Sequence, residues 1–243
     1  MSASRQKSWG STDDVSTDDV FENHQKYVDN PDLNSQIALP YRCGRSFSTQ
    51  NKTDPGRIRD DAFFKKMYGS CEQEVHSHLT PVLWMPNVYK NPSYTLLVSR
   101  VNGVDKKIQR ISKKLEQLVQ KKPEYIPFLD QPGGTFKWRP IAGTQRMSAH
   151  SYGMTIDINV DHSHYWLWDY QKENNIPESE KILEKDIPSN TLPTYRNRIP
   201  QEIVGIFESQ GFIWGGKWTQ HYDTMHFEYR PELCIPQKNT DQY

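Results

Sequence analysis

The sequence predicts an α+β fold, a small and mainly antiparallel sheet flanked by helices, and three observations predict it. Residues 104–121, "VDKKIQRISKKLEQLVQK", repeat their apolar residues at helical spacing. Several shorter stretches alternate apolar and polar residues with the period of a half-buried strand. The order in which these segments follow one another suits helices packed beside an antiparallel sheet.

Residues 1 to about 40 are rich in Ser, Asp, Asn and Gln and contain a tandem repeat, STDDV-STDDV, at 11–20. Such a composition buries little apolar surface, so residues 1–53 read as a polar, flexible extension and residues 54–243 as the folded domain. "DPGRIRDDAFFKKMYG" (54–69) sets a Pro-Gly turn before a brief helix that stops at Gly69. "SYTLLVSRV" (93–101) reads as a strand and is followed by the Asn102-Gly103 turn signal. The helix over 104–121 places Ile108, Ile111, Leu115 and Leu118 on one face, with its lysines on a solvated one. Two strands are expected next, "GTFKWRPIA" (134–142) and "GMTIDINV" (153–160). In the second, Met154, Ile156 and Ile158 point one way, and Thr155, Asp157 and Asn159 the other. "NRIPQEIVGIFESQG" (197–211) is a helix with Pro200 near its first turn and Gly211 as its stop. Two extended segments close the domain, "FIWGGKW" (212–218) and "MHFEYRPEL" (225–233).

Bulk properties narrow the function. Hydrophobic residues make up 35% of the 243, and the mean hydropathy is -0.87. With 7 Trp and 13 Tyr, the chain is nevertheless too aromatic for wholesale disorder, which points to a compact part diluted by polar segments. Lys+Arg and Asp+Glu both total 30, so no net field favours nucleic acid, and no basic run of the binding type occurs. No apolar run is long enough to span a bilayer. The opening "MSASRQKSWGSTDDV" lacks the apolar stretch of a secretory signal, which leaves a cytoplasmic location and a lost leader as the alternatives. Three cysteines, Cys43, Cys71 and Cys234, form no metal-like cluster and permit one disulfide, with Cys43 and Cys71 as candidates.

Chemistry concentrates in two segments. "SAHSYGMTID" (148–157) carries His150 just before a strand and Asp157 inside it. In an extended "MHFEY" (225–229), His226 and Glu228 share the face opposite Met225, Phe227 and Tyr229. His150, Asp157 and His226 can then meet over the sheet as a two-histidine, one-carboxylate set. Catalytic zinc takes three such protein ligands at roughly 2.0–2.2 Å and keeps a fourth position for water. Asp223, three residues before His226 in "HYDT", is the candidate general base. Glu228 is the rival, but two residues beyond a ligand on the same face it better suits support of that ligand.

Other features carry less. His162 and His164 of "DHSH" and the pair in "HSH" (76–78) read as loop residues. "HYWLWDY" (164–170) reads as an aromatic cap over the core, with a ring or two at a groove edge. The glycines of "WGGKW" fit either a tight turn or a close backbone approach.

"SAHSYGMTID" resembles the S-x-H-x-x-G-x-A-x-D signature of the zinc D-alanyl-D-alanine carboxypeptidases and L-alanyl-D-glutamate peptidases. "GFIWGGKWTQHYDTMHFEY" resembles the second signature of that family, with its W-G-G-x-W and D-x-x-H-F-E elements. Thr155 departs from the pattern, which has alanine at that place. The resemblance runs from about 54 to 234 and implies the Hedgehog/DD-peptidase fold, with one Zn2+ per chain held by His150, Asp157 and His226. It gives Asp223 the role of base, and it implies that Ser148 and either Arg139 or Arg146 shape the site or hold the substrate carboxylate. The expected substrate is a peptidoglycan stem peptide, and the expected activity D,D-carboxypeptidase. An L-alanyl-D-glutamate endopeptidase and a non-catalytic wall-binding module are the alternatives. That substrate places the protein in the periplasm or outside the cell.

Overall fold

The computed structural model describes residues 23–39, 41–44, 54–90, 94–141, 144–180, 182–188, 193–218 and 220–235. The STDDV repeat lies outside the described residues. Eight helices and eight strands follow in chain order among those described: α1 (His24–Asp29), α2 (Leu33–Ala38), β1 (Tyr41–Arg42), α3 (Asp61–Tyr68), α4 (Glu72–Ser77), β2 (Leu79–Trp84), β3 (Tyr94–Ser99), α5 (Val104–Lys121), α6 (Ile126–Leu129), β4 (Pro132–Gly134), β5 (Thr155–Asn159), α7 (Trp166–Glu173), α8 (Gln201–Glu208), β6 (Phe212–Trp214), β7 (His226–Tyr229) and β8 (Cys234–Ile235). The class is α+β, as the pattern predicts.

A four-stranded antiparallel sheet in the order β4-β5-β7-β6 forms the centre. Its apolar side buries Ile156, Ile158 and Phe227 completely. Phe207 of α8 stacks on Phe227 at 3.8 Å between ring centroids and meets Phe212 edge-on. The β2–β3 hairpin and α5 extend the same core. Ile108, Ile111 and Leu115 of α5 are fully buried, and Val119 rather than Leu118 completes the stripe. Ser112 of α5 accepts the Met85 N–H at 2.7 Å, so the one hydroxyl on that buried face is paired.

Two expectations need correction. The strand read over 134–142 ends at Gly134. Beyond it the backbone turns around the segment that bears His150: Lys137 N–H donates to the His150 carbonyl at 3.2 Å, Arg139 N–H to Ser151 Oγ at 3.0 Å, and Ser148 N–H to the Arg139 carbonyl at 3.0 Å. With its donors spent there and no N–H at Pro140, the segment cannot continue a ladder.

The second concerns the cysteine pairing, which lies beside N-terminal residues that pack on the domain. Val28, Leu39 and Ile58 form a small core of their own, each no more than 3% exposed. Gln36 Oε1 accepts the Asp60 N–H at 2.9 Å. β1 pairs in parallel with β8, and Cys43 is joined to Cys234, not to Cys71, which is free and exposed. The polar average of the first fifty residues hides a handful of well-spaced apolar anchors.

Candidate metal centre and active site

The register of the central strands sets the site. Asp157 on β5 stands directly opposite His226 on β7, and Thr155 opposite Glu228. Since side chains alternate across a strand, these four project to the side of the sheet away from Phe207. His150 joins them from a short 3₁₀ turn, Ala149–Tyr152, just ahead of β5. Ser148 Oγ caps that turn by accepting the His150 N–H at 3.4 Å. Gly153 ends it with φ +61°, a left-handed conformation that favours glycine, and a Cβ there would stand 2.5 Å from Leu79 Cδ2.

The three donors converge. Asp157 Oδ1 lies 2.9 Å from His226 Nδ1, Asp157 Oδ2 3.1 Å from His150 Nε2, and the two ring nitrogens are 3.3 Å apart. A tetrahedral ion with bonds of about 2.0–2.2 Å needs donors roughly 3.4 Å apart, so the three need only spread by a few tenths of an ångström to hold one. The donor chemistry, two imidazoles and a carboxylate, suits a divalent transition-metal ion.

A buried outer layer fixes both rings. The far nitrogen of His150, Nδ1, faces the Thr135 carbonyl at 3.1 Å, and Thr155 Oγ1 donates to that same carbonyl at 3.2 Å. The threonine that departs from the signature thus secures the acceptor that orients the His150 ring. On the other ring, His226 Nε2 faces Glu228 Oε2 at 3.3 Å, with Glu228 completely buried between Arg59 at 3.3 Å and Arg230 at 2.9 Å. Burial opposes the Glu228 charge, yet Arg59, Arg230 and His226 together hold its carboxyl below the usual range. In both histidines one nitrogen is occupied by a fixed acceptor, which directs the other to the shared centre.

Asp223 sits in the same cavity, partly buried, with Oδ1 accepting no hydrogen bond. Its backbone is held against Gly215, whose carbonyl accepts the Asp223 N–H at 3.1 Å. A Cβ on Gly215 would lie 2.5 Å from the Asp223 carbonyl oxygen, so the first glycine of "WGGKW" serves a close backbone approach. Burial and the neighbouring Asp157 charge push the Asp223 carboxyl up to about 7.

The cavity has a volume of about 470 Å³. Its charged wall contains Arg57, Arg59, Arg139, Glu184 and His221, and its apolar wall includes Tyr165, Trp168 and Trp218. Trp168, 48% exposed, is the ring at the groove edge, while Trp166 is buried in the cap. Ser148 and Arg139 line the cavity; Arg146 is absent from the lining, and its Nη2 donates to the Arg57 carbonyl at 2.5 Å. Sequence reading missed Arg57, Arg59, Glu184 and His221. His221 Nδ1 lies 2.6 Å from Asp54 and its Nε2 3.1 Å from Glu184, which in turn grips Arg57 Nη2 at 2.7 and 2.8 Å. Of the other histidines, His164 pairs with Asp169 at 3.2 Å, His162 and His76 meet Phe128 and Phe136 edge-on, and His78 faces the Tyr68 carbonyl. Among the described residues, the only group of three or more metal-capable side chains that converge is His150, Asp157 and His226.

Residues 142–229 match the D-alanyl-D-alanine carboxypeptidase family model. Neither a curated protein nor a solved structure matches the chain. The matched segment contains the three converging side chains and Asp223, whereas Arg57, Arg59 and Arg139 precede it. No helix among the described residues is long and apolar enough to cross a membrane.

The electrostatics of the site give a first expected result. Burial alone would lower the His226 pKa, but its bonds to Asp157 and Glu228 push it up to about 10. The ordinary histidine value is about 6.5. The folded metal-free protein is therefore stabilised fully below that ordinary value, and the contribution is lost as pH rises through about 10. A cation taking Nδ1 must displace the proton there, so affinity for zinc rises with pH. Calorimetric titration of zinc at neutral pH, in buffers of different ionisation enthalpy, should reveal release of at least one proton per ion. Heats independent of the buffer would contradict this protonation state.

Proposed function

We propose that the chain is a zinc-dependent peptidase acting on peptidoglycan stem peptides, with removal of a C-terminal D-alanine as its reaction. The observation that carries this reading is the convergence of His150, Asp157 and His226 beside Asp223, all inside the carboxypeptidase-matched segment. Zinc held by those three side chains supplies a Lewis acid that polarises a carbonyl and acidifies water.

The chain's own residues do the rest. Asp223 takes a proton from the attacking water on its carboxylate and returns it to the amine nitrogen as the C–N bond breaks. A carboxyl near 7 is suited to both transfers close to neutral pH. Arg139 supports carboxypeptidase over endopeptidase. Its exposed guanidinium lines the cavity and, among the described residues, makes one hydrogen bond, a long 3.5 Å contact to the Pro140 carbonyl, whereas Arg57 and Arg59 are engaged by Glu184 and Glu228. A guanidinium fork beside the centre suits a terminal carboxylate. The Cys43–Cys234 bond supports a location in an oxidising compartment, the periplasm or the cell exterior.

Mass spectrometry of muropeptides with pentapeptide and tetrapeptide stems, incubated with zinc-loaded protein and with a chelator control, tests the reading. Chelator-sensitive loss of one alanine from the pentapeptide supports it. Release at L-Ala–D-Glu moves the activity to the endopeptidase, and no cleavage with one zinc bound per chain leaves a wall-binding module. Arg139→Ala should lower kcat/KM for the pentapeptide by about 10- to 100-fold, mainly through KM, as expected for loss of one charge-assisted contact. A substrate amidated at its C-terminus should show no such sensitivity; equal losses on both substrates would remove Arg139 from carboxylate recognition.

A further inference from the structure

We propose that the N-terminal segment Tyr41–Gly44, remote in sequence from the carboxypeptidase-matched residues, positions Asp223 through the turn Trp214–Lys217. The inference rests on the reading of Asp223 as the base.

Asp223 Oδ1 has no hydrogen-bond partner, and the carboxyl is met only by the backbone N–H groups of Met225 and His226, so its aim follows the path of the backbone around it. That backbone is fixed to one turn. Gly215 accepts the Asp223 N–H at 3.1 Å, Trp214 Nε1 donates to the Thr224 carbonyl at 2.9 Å, and the close approach at Gly215 leaves no slack. Movement of the turn is therefore movement of Asp223.

Both ends of the turn are held by β1. Tyr41, 1% exposed, accepts the Trp214 N–H on its hydroxyl at 3.1 Å and donates that hydroxyl to Glu208. Glu208 also receives the Gly44 N–H at 2.6 Å and Lys217 Nζ at 2.5 Å. Lys217 Nζ donates to the Arg42 carbonyl at 3.0 Å and lies 4.8 Å from the Tyr41 ring centroid. The Lys217–Glu208 pair is nearly closed to solvent, with side chains 8% and 2% exposed, so its geometry is stiff and its partners are not replaced by water. β1 is itself secured by Tyr41 N–H to the Leu233 carbonyl at 3.0 Å and by the Cys43–Cys234 bond. A chain of buried polar contacts thus runs from β1 through the turn to the proposed base.

Tyr41→Phe removes one hydroxyl and leaves the ring. It should lower kcat on the pentapeptide muropeptide by about 10- to 100-fold, the effect of a base displaced by about an ångström, with KM and zinc content unchanged. Amide hydrogen exchange at Trp214 and Asp223 should quicken in the same variant. Lys217→Met, which keeps the alkyl stem over the Tyr41 ring, should show the same split and serves if Tyr41→Phe folds poorly. Leu115→Ala, a core change in α5, is the control for lost stability alone. Wild-type kcat in the folded Tyr41→Phe and Lys217→Met proteins would overturn the proposal. So would an equal loss of kcat in Leu115→Ala at the same drop in Tm. If the wild-type protein cleaves no stem, the peptidase reading fails, and exchange at the Asp223 amide still decides whether Tyr41 holds that residue.

Discussion

Asp223→Ala should lower kcat by about 10²- to 10⁴-fold, the contribution expected of a positioned general base, while the protein keeps one zinc per chain and its KM. The side chain touches none of the three converging donors through a hydrogen bond among those described, so its removal leaves His150, Asp157 and His226 with their partners. Asp223→Asn should be as inactive, because the amide fills the same space but accepts no proton at the required affinity. In the wild-type protein the rate should climb with pH through the Asp223 titration, since only the carboxylate can take a proton. Steady-state kinetics on a pentapeptide muropeptide, paired with metal analysis of the dialysed protein, checks each point. Retained turnover in metal-loaded Asp223→Ala would end its assignment as base. Glu228 is poorly placed to substitute, because it is completely buried and engaged by Arg59, Arg230 and His226.

His226→Ala should remove metal and activity together. The loss of affinity should exceed the roughly 10- to 100-fold that follows removal of an outer-layer partner, because one of only three protein donors disappears. The fold should survive, since Glu228 keeps both of its arginines and Phe227 keeps its stack on Phe207. Zinc content after dialysis, with Tm as the measure of folding, separates the two effects. A folded His226→Ala chain that still carries one zinc would mean that the ion is held elsewhere. The contrast between the two variants is informative in itself: one should lose chemistry with metal retained, the other both.

The parts of this site that could be read from the sequence are those governed by local periodicity. Strict alternation in "GMTIDINV" and "MHFEY" put Asp157, His226 and Glu228 on polar faces, and the antiparallel register then set Asp157 against His226. The amphipathic helix 104–121 was legible for the same reason, apart from the exchange of Leu118 for Val119 at its end. What could not be read depends on contacts made across long stretches of chain. Glu184 reaches Arg57 over 127 residues, and nothing local in "LEKD" marks it. Cys234 finds Cys43 at a separation of 191, a pairing that three cysteines alone leave open. Arg139 and Arg146 look alike in "WRPIAGTQRMS", and only the path of the backbone around the His150 turn puts the first in the cavity and the second against Arg57. The segment after Gly134 has the composition of a strand but spends its hydrogen bonds elsewhere.

The Cys43–Cys234 bond has a topological consequence. It closes the intervening chain into a ring, and every side chain assigned to the site, from Arg57 to Glu228, belongs to that ring. A single cut anywhere within it opens the circle without releasing a fragment, so the two pieces stay covalently linked and close to one another. An enzyme built this way tolerates a proteolytic nick in an exposed loop that would dismember an open chain. By the chain-entropy account, closing a loop of this length also takes roughly 5 kcal/mol of freedom from the unfolded ensemble of the uncut chain; after a cut that constraint is gone, and the bond acts only by keeping reassembly intramolecular.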